Sequence, residues 1–165
     1  MLLRKRSERR RGLTIVETTF VLSIALMFLF GIFEYGRYLM VLHTTNNAAR
    51  EGARYAVVHT GDNTTLSQVV AVVNGKMAGV NTQISGYNVN VFTADPSGIY
   101  NSGSGTAIYP PNITPLAGSS WNSATYGSPI AVTITGNYQP VLPSFLFLNA
   151  NLPIQVTAMM NSEAN

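Results

Sequence analysis

The hydrophobic residues of this chain are concentrated in one long stretch near its N-terminus. Residues 13–33 carry a single charged side chain, Glu17. As an α-helix these 21 residues would extend for about 31 Å, close to the hydrocarbon thickness of a bilayer. Good helix formers continue beyond them, and no proline occurs from Arg37 to His59. The pattern therefore predicts a transmembrane helix over residues 13–33 and an outward continuation of the same helix over residues 34–60.

A second helix and three strands are predicted in the remainder of the chain. After a Gly-Asp-Asn turn, Thr64 is a candidate N-cap for a helix with apolar residues at helical spacing. Residues 87–92, 130–135 and 153–159 are candidate strands, and the first two alternate with a period of two. These elements predict an α+β fold, in which the long helix enters a small exported domain (residues 61–165) with an antiparallel sheet of about three to four strands. The apolar positions of the second helix are Leu66, Val69, Val70, Val73 and Met77.

Residues 95–128, between the first two strands, are rich in Gly, Ser, Asn and Pro. A loop of this length is usually either functional or disordered. Aromatic residues scattered through it could bind a partner or attach the loop to the sheet, and attachment is the favoured interpretation. These residues are Tyr100, Tyr109, Trp121 and Tyr126.

Small residues form a stripe along the outer part of the long helix. Recurrence every three or four residues places them on one face, where they allow close approach of another backbone. The stripe packs either on the sheet of the same chain, which is favoured, or on a neighbouring subunit. Arg50 and Arg54 flank it and suit either environment, and Glu51 is three residues from Arg54, a spacing that permits an ion pair. The stripe consists of Ala48, Ala49, Gly52, Ala53 and Ala56.

The charge distribution gives the N-terminal segment a separate role. Residues 1–12 hold six cations and one acid, a net +5, and the remaining residues hold four cations and six acids, a net −2. Such a basic run could be a nucleic-acid arm, but directly before an apolar stretch it is typical of a cytoplasmic flank. A cleaved secretory signal is disfavoured because the apolar stretch is too long and lacks a small-residue cleavage site. We therefore expect the N-terminus inside and no nucleic-acid partner.

The chain lacks the residue patterns of an enzyme or a metal site. It has no cysteine, and its two histidines, His43 and His59, have no acid cluster near them in the sequence. A protein metal site needs three or four convergent ligands. Phosphate-binding loops, nucleophile elbows and paired carboxylates are also missing. The sequence predicts neither catalysis, nor a cofactor, nor a small-molecule substrate.

The junction between the basic and apolar segments contains a possible processing motif. Three arginines precede Gly12, and Glu17 is the fifth residue after that glycine. This order resembles a type IV prepilin leader, which is cut after the glycine and would leave Leu13 as the new N-terminus. A freed α-amine at Leu13 could be neutralised by Glu17 of an adjacent subunit, which would set the stagger between helices. Residues 1–12 are then a removable leader. Thr18, directly after Glu17, occupies a position at which pilins with such a leader usually have an aromatic residue.

A wider resemblance covers both ends of the chain. The segments GIFEYGR and NNAAREGARYAV, with IAVTITGNYQPVLP and IQVTAMMNSE near the C-terminus, are similar to TadE-like proteins. These are minor pseudopilins of the tight-adherence (Flp, type IVb) pilus system, which is related to type II secretion and mediates cell adhesion. The resemblance implies a pilin-like fold in the bacterial inner membrane. It also implies a prepilin peptidase, other pilins or pseudopilins and the pilus assembly platform as partners.

Three functions remain open at the level of the sequence. The first is a TadE-like minor pseudopilin, processed after Gly12, that assists assembly or anchoring of a tight-adherence pilus. The second is an uncleaved, single-pass membrane protein whose exported domain acts as a binding or adhesion module outside any filament. The third, a secreted hydrolase, would need a catalytic constellation that the sequence does not contain.

Overall fold

The computed structural model describes residues 9–95, 113–141 and 149–163, with backbone alone for residues 9–13. Helix α1 spans Arg9–Val58 and helix α2 spans Leu66–Met77. Three strands follow: β1 (Ile84–Thr93), β2 (Pro129–Tyr138) and β3 (Leu152–Asn161). Short 3-10 turns at Val80–Gln83 and Trp121–Ser123 precede β1 and β2. The predicted α+β class, with a long N-terminal helix, a second helix and an antiparallel sheet, is confirmed. Residues 1–8, Tyr100 and Tyr109, on which predictions were also made, lie outside the described residues.

Helix α1 has two halves with different surroundings. Residues 14–33, which form its exposed half, are mostly exposed: the most apolar 18-residue window has a mean hydropathy of 2.2, and none of that window is buried. By length and composition this half is able to cross a membrane. Burial begins at Glu34 and recurs from Val41 to Val57, where the helix lies against the domain. A single uninterrupted helix therefore connects the exposed apolar half to the folded domain.

The sheet has the order β1-β2-β3, and both pairs of strands are antiparallel. The register shifts between Ser85 and Asn88, opposite Gly136. A side chain at Gly136 would overlap Ile84 and lie 3.1 Å from the carbonyl oxygen of Ser85. Glycine at this position therefore permits the close strand approach at the irregularity.

Both helices pack on one face of the sheet and form the main core with it. The core side chains alternate along β2 and β3, as the period of two requires. Gly52 lies where α1 meets both α2 and β2, because a Cβ built on it would be 2.5 Å from Val73 and 3.4 Å from Val132. The main core includes Val41, Ala48, Ala49, Ala53, Val73, Met77, Ile84, Val89, Val132, Ile134, Tyr138, Ile154, Val156 and Ala158.

The cap of α2 differs from the prediction by one residue. Thr65, and not Thr64, is the N-cap, and its backbone N–H donates to Gln68 Oε1 at 2.7 Å. Thr64 instead belongs to the preceding turn, where its N–H donates to Asp62 Oδ1 at 2.9 Å. Either threonine could cap a helix, and the choice depends on Gln68 standing three residues after Thr65.

The far end of α1 is held by segments from elsewhere in the chain. The carbonyl of Val57 accepts the N–H of Glu163 at 3.2 Å, and Thr60 shares a hydroxyl hydrogen bond with Ser162 at 2.9 Å. Trp121 is buried beside the last turn of α1 and the start of β2. These contacts attach the segment after β3 and the segment before β2 to the C-terminal end of α1, far from its exposed half.

Candidate functional site

Glu17 lies on the exposed half of α1, among apolar side chains that are themselves exposed. No side chain that the structure describes forms an ion pair or hydrogen bond with it. The neighbouring Thr18 and Thr19 donate to the carbonyls of Thr14 and Ile15 at 2.8 and 2.9 Å, so these hydroxyls are satisfied within the helix. Among residues 14–33, whose side chains the structure describes, Glu17 is therefore the one charged side chain presented to the surroundings.

The predicted processing point lies within the first turns of α1. Gly12 and Leu13 have helical backbone, and the side chain of Leu13 lies outside the description. Glu17 follows one helical turn later, so Leu13 and Glu17 are four residues apart on the same side of the helix. Two subunits in contact along this side would bring the α-amine that cleavage frees at Leu13 of one close to the Glu17 carboxylate of the other only if their helices were staggered along their axes.

A buried polar cluster lies where the exposed half of α1 meets the domain. Glu34 is 5 % exposed, and its carboxylate accepts hydrogen bonds from the hydroxyl of Tyr138 and from the N–H of Val141 at 3.3 Å. Arg37, one turn later, has its guanidinium 3.7 Å from the same carboxylate. Burial and the hydrogen bond to Glu34 raise the pKa of Tyr138 to about 12. The cluster joins α1 to the end of β2 across 104 residues of sequence.

Arg37 gives this cluster its other contacts. Its Nη2 donates to Gln83 Oε1 at 2.9 Å, and its guanidinium lies 5.7 Å from the centre of the Tyr138 ring. Tyr38 meets the same ring edge to face at 5.6 Å. A carboxylate and a guanidinium removed from water are stable only when paired and hydrogen-bonded. These contacts therefore fix both position and rotation of α1 relative to the sheet.

In the sequence, Glu34 is the first residue of the predicted outward continuation of the helix, and its partners were not predicted. The spacing of Glu34 and Arg37 by three residues was an available signal for an ion pair on one helix face. Nothing local indicated Tyr138, because that contact exists only once the sheet has been docked against α1.

The predicted small-residue stripe lies inside the domain. Ala48, Ala49, Ala53 and Ala56 are completely buried, and Gly52 is buried between α2 and β2. These residues pack on the sheet and second helix of the same chain, which is the first of the two environments considered for them.

The charged residues beside the stripe have separate surroundings. Arg50 and Arg54 are exposed on α1. Glu51 pairs with Lys76 of α2, with 3.3 Å between Nζ and Oε1, so its ion-pair partner is not the predicted Arg54. The half-exposed position of this pair makes its contribution to stability small.

The two histidines are His43, on α1, and His59, directly after the last residue of α1. The ring of His59 stacks on that of Tyr55 at 4.0 Å, and its Nδ1 lies 2.8 Å from the Tyr55 carbonyl oxygen. His43 is exposed on α1. Over the described residues, no group of three or more potential ligands is close enough to hold a metal ion.

Comparison with known proteins identified one family. Residues 12–54 match the model of the TadE-like protein family. The matched segment begins at Gly12 and contains Glu17, Glu34, Arg37 and most of the small-residue stripe. Comparisons with curated proteins and with solved structures gave no match. Over residues 12–54 this chain therefore matches the TadE-like protein family, which confirms the family resemblance predicted for this segment.

Proposed function

We propose that this protein is a membrane-anchored minor pseudopilin that assists assembly or anchoring of a tight-adherence pilus. The exposed half of α1 anchors the chain in the bacterial inner membrane, with the basic segment inside and the α+β domain outside. A prepilin peptidase removes residues 1–12, and other pilins and the assembly platform then contact the mature chain. The observation that carries this proposal is Glu17, exposed on an apolar helix within the segment that matches the family.

The chemistry of Glu17 supports a role in assembly. A lone carboxylate in hydrocarbon is strongly disfavoured, and so is a lone α-amine at Leu13. Each would neutralise the other across two neighbouring helices, and their separation of one helical turn would define the stagger between subunits.

The first experiment tests processing. Intact-mass measurement of the protein purified from native membranes should show a chain that begins at Leu13, and Gly12→Val should retain the leader. A matched Ser7→Ala variant, changed within the leader but away from the cut, should be processed normally. Detection of the full basic leader on the wild-type protein in cells with active peptidase would favour the uncleaved, membrane-anchored binding module instead.

The second experiment tests assembly. We expect Glu17→Ala to insert into the membrane at wild-type levels and to lose pilus output, measured by electron microscopy and a surface-adhesion assay. Thr19→Ala, also exposed and two residues away, is the control because it removes a hydroxyl that bonds only within the helix. Normal pili from the Glu17→Ala strain would remove the assembly role without affecting membrane anchoring.

A further inference from the structure

An apolar groove of about 870 Å³ lies beneath the domain, at the point where α1 emerges from it. One wall belongs to α1 and includes Ile32 and Tyr35, which are 72 % and 63 % exposed. The opposite wall is formed by Tyr138 at the end of β2 and Leu152 at the start of β3. Carbon atoms dominate both walls, and the Glu34 carboxylate at the inner end is already hydrogen-bonded.

The α1 wall of the groove is continuous with the segment that is able to cross a membrane. Phe28 and Ile32 line the groove and also belong to the exposed apolar half of the helix. Buried contacts with the domain begin at Glu34, directly after Phe33. The apolar half of the described helix therefore continues directly into the part that contacts the domain. The medium around Phe28 and Ile32 has direct access to the groove.

The two ends of the sheet differ in polarity. At the end near Glu34 the domain presents an apolar side chain, because Val141 follows β2 by three residues and is 60 % exposed. At the opposite end, Gly127 donates to the carbonyl of Ser162 and Thr125 bonds Ser128, both at 3.0 Å. The end beside the groove therefore has exposed apolar surface at Val141, whereas the opposite end is closed by polar contacts.

We propose that the groove holds hydrocarbon chains of the membrane lipids, so that the base of the domain rests in the lipid interface. This inference depends on the membrane anchoring in the proposed function and adds a second lipid contact to it. Tyr35 and Tyr38 lie at the level of the headgroups, where aromatic side chains with polar tips are favoured. Burial of the groove walls in lipid removes apolar surface from water and fixes the height of the sheet above the membrane.

Site-directed spin labelling tests the proposal directly, because the chain has no cysteine and each introduced cysteine is labelled alone. Full-length protein is reconstituted in vesicles of phosphatidylcholine and phosphatidylglycerol, with a nitroxide at Leu152→Cys in the groove. Tyr126→Cys at the polar end of the sheet and Phe20→Cys in the apolar half of α1 are the matched controls; these residues are 77 % and 68 % exposed. Circular dichroism confirms that each labelled variant is folded.

We expect the label at Leu152 to collide with oxygen and to be protected from a water-soluble nickel chelate, as at Phe20. Its nickel-to-oxygen accessibility ratio should be several-fold below that at Tyr126. A ratio equal to that at Tyr126 overturns the proposal, because the groove is then filled with water. Protection from both reagents also overturns it, since residues 142–148 or a second chain then cover the groove. A water-accessible label at Phe20 would instead refute membrane anchoring itself.

Tryptophan fluorescence provides an independent measurement. Trp121, the single tryptophan, is buried at the far end of α1, so brominated lipids should leave its emission unchanged. Leu152→Trp should add emission that brominated lipids quench to a large extent. Unquenched emission from this variant, with normal folding, would exclude lipid from the groove.

Discussion

At the scale of single residues, the junction between anchor and domain depends on one buried carboxylate. Glu34 lies where the apolar half of α1 ends, and its three partners come from α1 itself, from β2 and from the segment after β2. The pairing offsets the cost of removing the charge from water, and it does so only in the docked arrangement. Glu34 therefore contributes to the orientation of the domain on the helix as well as to stability.

We expect Glu34→Gln to lower the free energy of unfolding by about 2–4 kcal/mol, because Arg37 loses its counter-charge inside the protein. Urea denaturation in detergent, followed by circular dichroism, measures this change. Glu51→Gln is the matched control: its ion pair with Lys76 is partly exposed, so its loss should cost less than about 1 kcal/mol. Equal effects of the two substitutions would contradict a special role of Glu34.

Tyr138 predicts how stability responds to alkali. Its pKa is raised to about 12 in the folded protein, above the ordinary value of 10.0, by burial and by the hydrogen bond to Glu34. The folded state therefore keeps this proton after the unfolded chain has lost it. The associated stabilisation is complete below pH 10 and is lost as the pH rises to 12. Tyr138→Phe should have a lower free energy of unfolding at neutral pH, and this free energy should fall less between pH 10 and pH 12 than in the wild type. An equal fall in the two proteins would assign the decline to other tyrosines.

At the scale of secondary structure, Gly52 allows α1, α2 and β2 to pack closely. A Cβ at this position would lie 2.5 Å from Cγ2 of Val73, a β-branched side chain with little rotamer freedom. We expect Gly52→Ala to destabilise the domain by about 1–3 kcal/mol despite the higher helix propensity of alanine, and Gly52→Leu to do so more strongly. Thermal unfolding in detergent measures both.

Gly75 provides the control for that substitution. It is also helical, but nothing lies within 4 Å of a Cβ built on it. Gly75→Ala should therefore stabilise the protein by up to about 1 kcal/mol through helix propensity alone. A stabilising effect of Gly52→Ala, comparable to that of Gly75→Ala, would show that this face of α1 is not closely packed.

The elements could be predicted from the sequence because their signals are local. The period of two in residues 130–135 identified β2, and the spacing of Val69, Val73 and Met77 identified α2 together with its buried face. Interactions between elements could not be predicted in the same way. The partner of Glu51 is Lys76 on the neighbouring helix, because docking of α1 on α2 brings them together.

The same distinction applies to the candidate site. Glu17 was predicted to be functional because it is the single charged residue in an apolar stretch, whereas the partners of Glu34 were not predicted. The contact of Glu34 with Tyr138 requires the antiparallel register of the whole sheet and its placement on α1. Residue type thus indicated which groups needed partners, and only the tertiary structure identified those partners.

At the scale of the whole molecule, one rigid element connects the candidate assembly residue to the domain. Helix α1 is continuous from Arg9 to Val58, and the Glu34 cluster fixes its rotation against the sheet. The direction in which Glu17 points is therefore set relative to the domain surface. A subunit that pairs through Glu17 presents its domain at one defined angle, which is a requirement for an ordered assembly.

An insertion in the exposed half of α1 tests this coupling. One alanine added between Leu22 and Ser23 turns Glu17 by about 100° relative to the domain and leaves the domain contacts unchanged. We expect membrane insertion, unfolding temperature and leader removal as in the wild type, with pilus output lost. Ser23→Ala, at the same point without a change in rotation, should assemble normally. Wild-type piliation by the insertion variant would mean that Glu17 and the domain act independently, with α1 serving only as an anchor.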